Sequence, residues 1–267
     1  MRTNKFSTLS SYIDDCQSKG KYFLSLEEMI LNVDRESSSF RLSILRLIKK
    51  KRLARVRHSY YIIIPTEYRE VGSTPPSWFI DDIMKVLKRP YYVSMLTASN
   101  IHGASHHHPQ EYQVMTDKQL NPISIGKNTI RFFTKKVIDK SPILKLPTET
   151  GFINVSTIEV TVLDLIAYFK NVGYFDNVVI IISELSEKID KTRLLEASQS
   201  GYPISVIQRL GYLLDHYGLS SVTQPLSKWI KGKTHFYVPL RPDRSKVNSK
   251  FDPKWKIIIN ENIEEEI

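Results

Sequence analysis

Apolar residues recur at helical spacing through most of the chain and alternate with polar ones in a few short runs. Leu9, Tyr12, Ile13 and Cys16 fall on one face of a helix over residues 8–16, which Lys19-Gly20 ends. Tyr22-Phe23 reads as a short extended segment. Ser25-Leu26-Glu27-Glu28 is a capping box that opens a second short helix carrying Leu26, Met29 and Ile30. A polar turn at 32–36 leads to Ser37, Ser38 and Ser39, which offer N-caps for a third helix reaching about residue 50. On that helix Phe40, Ile44, Leu47 and Ile48 share the face that must pack inward. Leu53-Ala54-Arg55-Val56-Arg57 and the run 60–64 are then two extended segments around His58-Ser59, a hairpin.

Residues 65–77, PTEYREVGSTPPS, have the composition of a linker. A helix over 78–87 follows, with Ser77 as cap and Asp81-Asp82 near its positive end. The next stretch, 90–119, predicts a short helix with Val93, Leu96 and Ile101 as its apolar positions. Gly103 breaks that helix, Pro109 closes a loop, and a strand begins near Gln110 with Tyr112 and Val114 alternating with Gln113 and Met115. Further on come a hairpin around Gly126-Lys127-Asn128, a strand at 152–155, and a second capping box, Ser156-Thr157-Ile158-Glu159, starting a helix to about 169. Helices are expected over 177–189, 192–199, 203–217 and 222–231, and a closing strand over 255–260. The β-branched run 178–182 leaves a strand open there; its flanking residues favour helix. The fold class is therefore α+β: a first domain over 1–66, a linker at 67–77, and a larger mixed, mostly helical domain over 78–267.

Charge changes the picture of the first domain. Over the whole 267 residues, 38 Lys and Arg against 28 Asp and Glu give a net charge of +10. It is unevenly placed: residues 35–57 hold nine Lys or Arg and one acid, Glu36. A charge run is often only a solvated helix face. Here helix, helix, basic helix and basic hairpin follow in the order of a winged helix-turn-helix, which lays its last helix in the major groove of duplex DNA. Ser39, Ser43, Arg46 and Lys50 form one stripe at i, i+4, i+7 and i+11, with Lys49 beside it. Arg52, Arg55, Arg57 and His58 continue the set into the hairpin. Arg46 is the expected reader of a base edge and the lysines the expected phosphate ligands.

The sequence gives catalytic chemistry little support. His102 and His106 are four apart, but Gly103 and Pro109 disfavour a helix across them and the lone cysteine, Cys16, is distant, so no zinc site is assigned. Gly72-Ser73 followed by adjacent Asp81-Asp82 lacks the spaced acid pair of a two-metal nucleotidyltransferase. Glu111, Asp117 and Lys118 are a weak nuclease-like group. No cofactor is implied. One cysteine, no apolar run near the ~20 residues of a membrane helix, and no apolar signal core at the start suggest a soluble, cytoplasmic protein.

The run Tyr91-Tyr92-Val93, His102-Gly103-Ala104, His107-x-Pro109-Gln110 and Val114-x-Thr116-Asp117 resembles a signature of AbiEi-family antitoxins, of the type IV AbiE toxin–antitoxin systems of abortive infection and phage defence. Gly151-Phe152-Ile153-Asn154-Val155, Thr161-Val162-Leu163-Asp164-Leu165, Gln208-Arg209-Leu210-Gly211-Tyr212 and Trp255-Lys256-Ile257-Ile258-Ile259 continue it in order. The resemblance implies a non-catalytic protein with two tasks. One is repression of its own operon at an inverted-repeat operator in double-stranded DNA. The other is neutralisation of a nucleotidyltransferase-like toxin, which need not involve a stable complex. The alternative is an enzyme, a nuclease or nucleotide-modifying domain, delivered to DNA by the winged helix.

Overall fold

The computed structural model describes residues 6–34, 37–104, 109–233 and 236–263. The turn residues 35–36, the side chains of Ser37 and Ser38, and His106, His107 and His108 lie outside the described residues. The elements run α1 (Leu9–Ser18), β1 (Phe23–Ser25), α2 (Leu26–Asn32), α3 (Ser37–Lys49), β2 (Leu53–Arg57), β3 (Tyr60–Ile63), α4 (Ile80–Leu87), β4 (Tyr91–Val93), α5 (Met95–Ile101), β5 (Tyr112–Thr116), β6 (Ile123–Ile125), β7 (Asn128–Thr134), β8 (Ile143–Thr148), β9 (Gly151–Ser156), α6 (Ile158–Ala167), α7 (Tyr174–Ser186), α8 (Lys191–Ser198), α9 (Ile204–His216), α10 (Ser220–Ile230), β10 (Val238–Pro239), β11 (Lys250–Asp252) and β12 (Ile257–Ile259). Three sheets form, with strand orders β1-β3-β2, β6-β7-β5-β4-β9-β8 and β10-β12-β11. The chain is a mixed α/β fold.

Two compact units divide it, and they do not follow chain order: one holds 1–91, 110–133 and 145–154, the other 92–109, 134–144 and 155–267. In the first unit, α1, α2 and α3 close over a core of their own. Leu9, Tyr12, Ile13 and Cys16 of α1 meet Met29 of α2, Phe40, Ile44 and Leu47 of α3, and Leu53, Tyr61 and Ile63 of the hairpin. The periodicity of α1 and α3 thus predicts the buried faces. β1 joins the hairpin antiparallel, with Phe23 opposite Ile62. Ser25 caps α2 by accepting from the Glu28 amide at 3.0 Å. The reciprocal half of that capping box is absent: the Glu28 carboxylate instead takes the Tyr12 hydroxyl at 2.7 Å and the Lys21 ammonium. A charged donor and a buried phenol compete better for that carboxylate than the Ser25 amide does.

The stretch read as a linker is packed in this unit. Ser73 and Thr74 are fully buried. The Lys127 amide donates to the Val71 carbonyl at 2.9 Å, and Asn128 donates to the Thr74 carbonyl at 3.1 Å. Gly126, at φ +56°, turns so close that a Cβ there would lie 2.2 Å from the Val71 oxygen. Trp78 packs between Tyr22 and Tyr68, at 4.8 and 5.3 Å between ring centres.

In the second unit α6 is the axis. Every residue from Glu159 to Ile166 is buried, and α5, α7, α8 and α9 pack around it. Its cap is Thr157, which accepts from the Val160 amide; Glu159 turns away and takes the Asp190 amide at 3.0 Å. Residues 91–93, expected at the start of a helix, form strand β4, and α5 begins only at Met95. Tyr91, Tyr92 and Val93 are all buried, a bulky run that fits an interior strand better than a helix. Gly103 ends the descent from α5 at φ +92°, the left-handed turn expected of it. In β5, which belongs to the first unit, Gln113, Val114, Met115 and Thr116 are all buried, because an interior strand is covered on both faces. The run 178–182 is helical, inside α7.

Candidate nucleic-acid interface

The exposed side of α3 follows from its buried one. With Phe40, Ile44 and Leu47 inward, Leu42, Leu45 and Lys49 point directly outward, and Ser39, Arg46 and Lys50 flank them. Arg46, Lys49 and Lys50 are exposed and have no acidic partner among the described residues. Ser39 is exposed and accepts the Ser43 hydroxyl at its carbonyl, 3.0 Å away, so Ser43 is turned back onto the helix. The expected stripe of Ser39, Ser43, Arg46 and Lys50 is therefore one edge of the exposed face. Its middle is apolar: Leu42 and Leu45 are 53% and 51% exposed. The helical wheel already places both leucines opposite the core, and that signal was available in the sequence.

The hairpin residues separate. Arg52 is half-buried and donates to Ser10 at 2.7 Å and to Asp14, so it holds α1 in place. The Arg55 guanidinium lies 5.6 Å from the centre of the Tyr61 ring and donates to its hydroxyl at 3.4 Å. With His58 and Arg41 it rims an open groove of about 580 Å³, whose walls are Leu26, Ile30, Val33, Phe40, Ile44 and Leu45. Ile30 of α2 is 52% exposed at this groove. Arg57 lines a different cleft, beside Phe23, Tyr60, Val86 and Leu87. Arg46, Lys49 and Lys50 thus share a surface, Arg55 and His58 share the groove, and Arg52 and Arg57 belong to neither.

The carboxylates weighed for catalysis are held in separate pairs. Glu111 binds Arg131 and Asp117 binds Arg89, each at 3.1 Å. Asp81 holds Lys85 at 2.5 Å and the Tyr91 hydroxyl at 2.9 Å. Among the described residues no group of three or more His, Cys, Asp or Glu is placed to hold a metal ion. His102 sits at the end of α5 with Nε2 2.7 Å from the Ser156 carbonyl, and burial lowers its pKa, so the neutral ring donates that bond.

The second unit has a polar centre of its own. Asp164, fully buried on α6, accepts from Tyr202 at 2.7 Å and from Tyr92 at 3.1 Å. Lys135 lies 3.6 Å above the Tyr202 ring and donates to Ser141 at 2.8 Å and to Ser200 at 3.2 Å. Burial pushes the Asp164 carboxyl up to about 6 and the Lys135 ammonium down to about 8. Opposite charges at one buried site limit the cost of each.

This centre lies in the part of the chain that has known relatives. Residues 92–216 match the family model of the AbiEi antitoxin C-terminal domain. The match supports an antitoxin role in a toxin–antitoxin system and implies a cognate toxin; the AbiEi antitoxin family is not a class of enzymes. The crystal structure of the RV2827C protein from Mycobacterium tuberculosis shares the fold, with a TM-score of 0.65 at 15% identity over 96% of this chain and 94% of that one. No protein of curated function matches the chain in sequence. Among the described residues no helix is long and apolar enough to cross a membrane.

Proposed function

We propose that the protein is an antitoxin and a repressor of its own toxin–antitoxin operon, of type IV, and that it neutralises a nucleotidyltransferase-like toxin in the cytoplasm. In this reading α1, α2, α3 and the β2–β3 hairpin are a winged helix-turn-helix, and α3 enters the major groove of an operator of inverted repeats. The observation that carries the reading is the outward face of α3, where Arg46, Lys49 and Lys50 stand exposed around Leu42 and Leu45. Guanidinium and ammonium groups without acidic partners suit phosphates and guanine edges, and aliphatic side chains suit thymine methyls. Ser39 and Arg55 border this face, and His58 lies at the wing tip. Arg52 acts through α1, and Arg57 meets DNA only where the backbone passes the second cleft.

Footprinting the promoter with purified variants tests this. Arg46→Ala should cost about 1–3 kcal/mol and relax the sequence preference, whereas Lys50→Ala should weaken all sequences alike and flatten the salt dependence by about one phosphate. Unchanged protection by an Arg46→Ala/Lys49→Ala protein would remove α3 as the reader.

A further inference from the structure

A second basic stretch lies beyond the family-matched segment. Residues 228–256 hold nine Lys or Arg and two acids, Asp243 and Asp252, with Trp229, Phe236, Tyr237, Phe251 and Trp255 interspersed. Its two acids are already engaged: Asp243 binds Arg241, and Asp252 accepts the Trp255 amide at 2.6 Å. Lys228, Lys231, Lys246 and Lys250 are exposed and have no acidic partner among the described residues. This stretch builds the small sheet β10-β12-β11, in which β12 is central. Ile257 of β12 is buried against the domain, so its neighbour Ile258 faces the other way, and Phe251 of β11 stands opposite Ile258. Tyr237, just before β10, meets Phe251 edge to face with ring centres 5.4 Å apart. Both rings are open to solvent, Tyr237 by 44% and Phe251 by 62%, and Phe236 beside them by 80%.

We propose that this sheet face binds single-stranded nucleic acid. Exposed aromatic rings on a sheet offer unpaired bases a surface to stack on, and the exposed lysines of the same stretch attract the backbone without demanding a sequence. A duplex fits poorly, because its bases already stack on one another. The unpartnered charges of the stretch are lysines, which protein interfaces deplete, and together with exposed rings they favour a polyanion with bases to stack. The residues that build this surface are other than those of α3, and the proposal does not depend on the operator reading.

Fluorescence anisotropy of labelled 12-nucleotide oligo(U) and oligo(dT), titrated with the full-length protein, tests it. The native chain should bind, more weakly as salt rises. Tyr237→Ala/Phe251→Ala should raise Kd about tenfold or more, Tyr237→Phe/Phe251→Trp should restore it, and Arg46→Ala/Lys49→Ala, which removes only phosphate attraction elsewhere, should weaken binding less than the loss of the rings does. Thermal melting accompanies each variant, and Lys246→Glu/Lys250→Glu, which touches no buried group, should weaken binding independently of any change in the rings. Three results would overturn the proposal. They are no binding by the native chain, native-like binding by both the alanine and the glutamate proteins, and loss of binding in the α3 variant alone.

Discussion

Asp164 and Lys135 show how much a single residue's setting decides. Asp164→Asn, which removes the titrating carboxyl and keeps its shape, should abolish the gain in stability that this group supplies on acidification, read by urea unfolding between about pH 4 and 7. The same pair sets a pH dependence. The folded pKa of Asp164, about 6, lies above that of a free carboxyl. Its contribution to stability is complete below about pH 4 and is lost as pH rises through about 6. His102 acts in the opposite sense. Its folded pKa is lowered, so its contribution is present above the ordinary imidazole pKa and is lost as pH falls through the lowered value. The two partly cancel between about pH 4 and 6.5 in the native chain, and only variants separate them. Stability of His102→Ala, relative to the native chain, should improve on acidification. At pH 7 it should be lower by about 1 kcal/mol or more, for the lost bond to Ser156. Identical pH profiles for the native chain, Asp164→Asn and His102→Ala would mean that neither group titrates differently on folding.

Among the elements, α9 explains a motif that the sequence could only quote. In Gln208-Arg209-Leu210-Gly211-Tyr212, Gly211 lies under the Trp255 ring, and a Cβ there would come within 2.4 Å of it. Gln208 donates to the Trp255 carbonyl at 2.9 Å, Arg209 to the Pro239 carbonyl at 3.0 Å, and Trp255 itself donates to Asp215 at 2.6 Å. One face of α9 therefore fixes the approach to both β10 and β12. Gly211→Ala should displace the indole and cost about 1–3 kcal/mol, with a loss of near-ultraviolet dichroism from Trp255. A melting temperature within a degree of the native value would show that the ring can move aside freely. Helix periods were legible here because α9 has one buried face; β10 and β11 were not foreseen because edge strands of two and three residues carry no period, and β8 because Pro147 interrupts its pattern.

At the scale of the molecule, the question is whether residues 1–66 are autonomous. The core formed by α1, α2, α3 and the hairpin lies within residues 6–63, from which we propose a domain that folds by itself. Trp78 nevertheless covers Tyr22, so the isolated piece should melt lower than the full chain. We expect residues 1–66 to unfold cooperatively and protect the promoter, and residues 78–267 to rescue growth after toxin induction without repressing. A fragment 1–66 with no cooperative transition would make the first unit indivisible. Rescue by that fragment alone would assign protection to lowered transcription.

The sequence by itself determined the helices, the hairpin, the buried faces of α1 and α3 and the concentration of charge on residues 35–57, because these depend on spacing along the chain. It also carried the resemblance that the match over residues 92–216 supports. Only the tertiary structure decided which of those charges stay available. Arg52 is turned to Asp14 by the position of α1, and Arg57 to a cleft beside α4, contacts between residues 38 and about 30 positions apart. The same holds for the segment 65–77, whose Gly, Ser and Pro composition reads as a linker. Ser73 and Thr74 are buried because the distant turn at Gly126 supplies the hydrogen bonds and the close backbone approach that no local pattern encodes.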